Sequence, residues 1–116
     1  MEAQGYIQRL TEISKTKLTL LEELLSLSKS QNENARAGKF EELEALLPQK
    51  QERMGAIDKL DEQFVVYSQK VKSVLSLDSF EGLAEYDIPG TAELKELVGQ
   101  IHQKLKDIRA ADDEST

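Results

Sequence analysis

Apolar residues recur at helical spacing from the start of the chain. Tyr6, Leu10, Ile13, Leu20, Leu24 and Leu27 form one stripe, broken at Lys17, where a Leu-like residue is expected. A second stripe, Ile7, Leu18, Leu21 and Leu25, runs beside the first. One stripe serves a single helix–helix seam, whereas two adjacent stripes predict a helix wedged against two neighbours, here over residues 3–36. Beyond Ser28 the run Ser-Lys-Ser-Gln-Asn-Glu-Asn is polar, so any further helix there has little to bury. Ala37-Gly38 supplies the expected stop, because glycine tolerates the left-handed conformation that closes helices.

Phe40, Leu43 and Leu47 then fall at helical spacing and predict a short helix over 39–47, an elbow that ends at Pro48. Proline cannot donate a backbone hydrogen bond and crowds the preceding turn, so a bend is expected there. Met54, Ile57, Leu60, Phe64, Tyr67, Val71 and Val74 continue at alternating three- and four-residue steps and predict a second long helix over 48–75. Residues 76–90 read as a loop, with Asp78, Gly82, Asp87, Pro89 and Gly90. Phe80, Leu83, Tyr86 and Ile88 are too apolar for a solvated linker, and some of them are expected to fold back onto the bundle end. Thr91 is the expected cap of a third helix over 91–110, with Glu93 near its positive end. Leu94, Val98, Ile101, Leu105 and Ile108, with Leu97 beside them, form its apolar stripe. The expected fold is all-α, an elongated antiparallel three-helix bundle over 1–111 with an acidic tail at 112–116.

Composition agrees with this class. Of 116 residues 32% are charged and 5% aromatic, unlike the strands of a β-sandwich. Cysteine is absent, which removes disulfides, thiol nucleophiles and thiolate metal sites together. No apolar run approaches the ~18–20 residues of a membrane span, and Met1–Gln8 lacks the layout of a secretory signal. A soluble, cytoplasmic protein is expected. The net charge of −7 is uneven: −2 over residues 1–47, +1 over 48–75 and −6 over 76–116. Acid in the last third, with no basic stripe elsewhere to offset it, excludes nucleic acid as a partner.

Little chemistry is available to such a chain. His102 is the single imidazole, so no Ser–His–Asp or multi-His constellation forms, and it reads as a boundary residue of an amphipathic helix. The inward Glu-x-x-His pairs of a di-iron bundle are absent, and the glycines are too isolated to cradle a phosphate. Catalysis, a metal and a cofactor are not expected. What remains is surface for another polypeptide. Candidates are Val66, which faces away from the Phe64–Tyr67 seam, Val65 at its flank, and the stripe of the third helix. That stripe suits the chain's own core and a partner equally well.

The run Leu20-Leu21-Glu22-Glu23-Leu24-Leu25 is followed by a polar stretch and by Gly38-Lys39-Phe40-Glu41-Glu42-Leu43-Glu44-Ala45-Leu46. Lys50-Gln51 comes next, with Met54, Ile57 and Leu60. In order and spacing these parts resemble the FlgN-type flagellar export chaperones over residues 5–108. The resemblance implies a cytoplasmic chaperone for hook-associated proteins, which are exported through the flagellar type III apparatus. It further implies that a C-terminal amphipathic helix binds helical terminal segments of the client and prevents their premature assembly. By position that role falls on Leu94, Leu97, Val98, Ile101, Leu105 and Ile108. Family members run longer past this helix, whereas here Ile108 is followed by eight residues ending at Thr116. A chaperone type that serves the filament cap has a similar outline. The rival class is a scaffolding bundle, a homodimer whose apolar stripes bury each other without an export client.

Overall fold

The computed structural model describes residues 2–79, 82–83, 86 and 88–114. Three helices make up nearly all of it: α1 (Ala3–Arg36), α2 (Phe40–Leu75) and α3 (Thr91–Glu114). The described residues contain no strand. The molecule measures 55 × 20 × 20 Å, so its length is that of one long helix and its width that of two in contact.

Cross-helix contacts define an up-down-up path. Tyr6 meets Tyr67 with ring centroids 6.1 Å apart, Lys17 Nζ donates to Asp61 at 2.6 Å, and Lys50 Nζ donates to Gln31 at 2.9 Å. Rising numbers on α1 therefore pair with falling numbers on α2. On the other flank Lys15 pairs with Glu93 at 2.9 Å and Asn32 with Ala111 at 2.9 Å, so α3 runs parallel to α1. Both neighbours pack along α1, and they have no comparable contact with each other. The double stripe on α1 is thus used as its spacing predicts.

The core divides into two clusters along the axis. Near the start of α1, Ile7, Leu10, Val71, Leu83 and Leu94 come together, with Tyr6, Phe64, Tyr67, Leu75, Leu77 and Ile88 around them. Farther along, Leu21, Leu24, Ile57 and Ile101 form the second cluster, flanked by Leu18, Leu20 and Ile108. Each aliphatic side chain fully buried in this way stabilises the fold by ~1.5–3 kcal/mol. Ser14 and Ser28 share this interior, each 1% exposed, and the hydroxyl of neither has a hydrogen-bond partner. Their small size suits places where three helices converge, but an unpaired buried hydroxyl costs free energy. Ser28→Ala should therefore raise stability by ~0.5–1 kcal/mol, read as a higher urea midpoint with unchanged m-value.

The helix ends follow local chemistry. At the end of α1, Gly38 takes φ 70°. The N–H of Gly38 then reaches Ala35 O at 3.2 Å and that of Lys39 reaches Asn34 O at 2.9 Å, the paired closure that a left-handed residue permits. Ser76 closes α2 the same way at φ 55°. Leu77 N–H donates to Lys72 O at 2.8 Å there.

Three local expectations change. The short helix over 39–47 and the helix over 48–75 are one element, Phe40–Leu75, with Pro48 inside it. Pro48 and Glu44 are both exposed, so water can serve the Glu44 carbonyl that loses its donor. Thr91 is the first residue of α3 rather than its cap. Its hydroxyl donates to Ile88 O at 2.9 Å, while Leu94 N–H bonds Gly90 O at 3.0 Å. The polar end of α1 stays helical because Asn32 is buried and donates its amide to Ala111 O. That bond, the burial of Ala111 and the approach of Lys50 to Asp112 at 3.5 Å carry α3 on through Asp112 and Asp113. The acidic stretch is thus helix, not a tail beyond the bundle, as far as Glu114. Ser115 and Thr116 lie outside the described residues, as does Phe80. Of the other loop residues, Leu83 is buried, Ile88 packs against it, and Tyr86 donates its hydroxyl to Leu75 O at 3.3 Å.

Candidate partner-binding groove

Because α2 and α3 hold to α1 rather than to each other, a furrow of about 290 Å³ remains between them. Ile13, Ser14 and Lys17 of α1 form its floor. Asp61, Phe64 and Val65 line one wall, and Val98 and Ile101 the other. The lining is aliphatic and aromatic apart from Ser14 and the Lys17–Asp61 ion pair. Lys17 explains the break in the first stripe. Its ammonium is largely sheltered, with the side chain 20% exposed, and is neutralised by Asp61, itself 48% exposed. A long stem lets lysine cover apolar surface while its charge reaches the edge.

The α3 stripe splits across this furrow. Leu94 at 2% exposure belongs to the first core cluster and Ile101 at 8% to the second, while Leu97 is buried as well. Ile108 is half-buried against the second cluster. Val98 is 42% and Leu105 39% exposed. They stand seven residues apart, about 10 Å along the axis, on one edge of α3. The six residues that the resemblance assigns to client binding thus share a helix but not an environment.

On α2, Val65 is half-exposed and lines the furrow, while Val66 is equally exposed but lies outside the lining. Phe40, Leu47, Met54 and Val74 belong to stripes that periodicity assigns to the interior, yet all are exposed. Met54 and Leu47 precede Val65 by eleven and eighteen residues, spacings that return to the same helical edge. Sequence periodicity alone misses this edge, because it marks a wide apolar face without saying how much of it the neighbouring helix covers.

His102 is exposed on α3, and among the described residues no three His, Cys, Asp or Glu side chains group to hold a metal ion. No helix of the described residues is long and apolar enough to cross a membrane. The furrow thus offers largely apolar walls from α2 and α3 over a floor from α1.

Residues 1–114 match the family model described as FlgN protein. No curated protein and no solved structure matches the chain.

Proposed function

The chain belongs to the FlgN family of flagellar export chaperones, and from that premise we propose that it acts in the cytoplasm on hook-associated proteins. It takes up a helical terminal segment of the client as a fourth helix in the furrow between α2 and α3. The observation that carries this reading is the open apolar furrow itself, walled by Val65 on one side and Val98 on the other. Val98 and Leu105 contact the client, with Ile108 at the edge. Leu94, Leu97 and Ile101 act from beneath, holding α3 in place on α1. Client residues at i, i+3, i+4 and i+7 complete the bundle. Contacts that would otherwise drive client self-assembly are exchanged for chaperone contacts, and no nucleotide is needed.

A homodimer that closes the same furrow is the rival. Both stripes of α1 pack against α2 and α3, so they are not free for a second copy. Light scattering separates the two readings. A chaperone should scatter as a monomer over a wide concentration range and, at equimolar ratio, suppress the self-assembly of a purified hook-associated protein. A dimer that persists on dilution, together with unhindered client assembly, would overturn the proposal.

A further inference from the structure

The furrow has edges of opposite charge. On α2, Asp58 and Glu62 precede Val65 by seven and three residues, which places both on the furrow side of the helix, and both are exposed. On α3, Lys95 and His102 lie three residues before and four after Val98, Lys106 is one turn past His102, and Arg109 is four past Leu105; all are exposed. Among the acidic side chains of α3, Asp112 approaches Lys50 of α2 at 3.5 Å, and Asp113 lies four residues past Arg109, at the far end of the basic edge. Glu93, Glu96 and Asp107 lie elsewhere. Glu93 pairs with Lys15 of α1 on the outer flank, while Glu96 and Asp107 bond the glutamines of their own helix. None of Asp58, Glu62, Lys95, Lys106 and Arg109 takes part in an ion pair among the described residues. Asp58 and Glu62 on α2 thus form an acidic stretch of rim opposite the basic stretch of Lys95, Lys106 and Arg109 on α3, over a floor of Ile13, Ser14 and the paired Lys17. Lys72, seven residues past Val65, is a cation beyond the acidic pair.

Resting on the furrow as the docking site, we infer that the rims set the direction in which a partner helix lies. The partner is an amphipathic helix whose apolar stripe is flanked by Lys or Arg along one side and by Asp or Glu along the other. Its basic flank lies against Asp58 and Glu62, and its acidic flank against Lys95, Lys106 and Arg109. Turning such a helix end for end keeps its apolar stripe in the furrow but exchanges its flanks, bringing like charges together on both rims. One direction is thus favoured and the other opposed, a use of repulsion as well as attraction. The discrimination weakens in high salt, because the rims are exposed to solvent.

Two synthetic helical peptides of identical composition provide the test. Both carry one leucine stripe, with the Lys and Glu flanks exchanged between them, and a fluorophore at the N-terminus. Because the chain has no cysteine, a single Gln69→Cys labels one end of the furrow for energy transfer. The two peptides should bind with similar affinity but in opposite directions, one giving high and the other low transfer. Peptides with Lys on both flanks or Glu on both should bind about tenfold more weakly at low salt. The rim-exchanged protein, Asp58→Lys and Glu62→Lys with Lys95→Glu and Arg109→Glu, should reverse both transfer signals. Equal transfer from the two peptides, with binding still abolished by Val98→Asp and Leu105→Asp, overturns the direction while leaving the furrow as the site. Failure of every peptide to bind overturns both.

Discussion

Val98→Asp combined with Leu105→Asp should abolish co-purification of a hook-associated client while the far-UV circular dichroism of the chain stays unchanged. Both side chains already meet water, at 42% and 39% exposure, so a carboxylate at either position remains solvated in the free protein. In the proposed complex the same two positions lie under the client helix. The wild-type side chains there lose a favourable burial of ~1 kcal/mol or more each, and the introduced carboxylates must be desolvated without partners. Together these terms exceed ~3 kcal/mol, a loss of at least ~100-fold in affinity. Ile101→Asp provides the contrast, since Ile101 is 8% exposed and packed with Leu21, Leu24 and Ile57. It should lose helicity and client together, at a cost of ~3–5 kcal/mol. Wild-type client capture by the folded double variant would place the site elsewhere on the chain.

The second large effect concerns how α3 is held. Leu94 is 2% exposed and joins Ile7 and Leu10 of α1 with Val71 of α2, at the end where α3 enters the bundle. Leu94→Ala removes most of that anchor and should cost ~2–5 kcal/mol. Because α3 rests on α1 and has no comparable contact with α2, the loss should be local. Hydrogen exchange would show α3 amides losing protection first, while α1 and α2 keep theirs. Equal loss of protection in all three helices would mean that α3 is integral to one cooperative unit. A separable α3 also bears on function, since a wall that moves can adjust the furrow to its client.

Several of these features were legible in the amino-acid pattern. Two stripes on one helix announced a central element with two neighbours, and Gly38 marked where α1 stops, because few other residues accept a left-handed backbone. Other features were not. Pro48 read as a bend between a short helix and a long one, but a lost hydrogen bond at an exposed turn does not end a helix whose Leu43 and Leu46 are half-buried on one side of it and whose Ile57 is buried on the other. Asp112 and Asp113 read as an acidic tail beyond the bundle, yet Asn32, seventy-nine residues before Ala111, holds that end in place. No local rule relates two positions so far apart.

The sequence by itself determined that this chain is helical, that α1 is central and that α3 carries an apolar stripe. These follow from periodicity and composition, which act along one chain and need no neighbours. Tertiary structure alone decided which part of the stripe is spent. Leu94, Leu97 and Ile101 are buried, and Val98 and Leu105 stay exposed along one edge of the helix, because α2 and α3 dock on α1 without comparable contact with each other. The width of the furrow depends on side chains from all three helices at once, including Lys17, whose charge must reach Asp61 at the edge. A stripe at helical spacing states that a face is apolar; only the positions of its neighbours state whether that face is already covered.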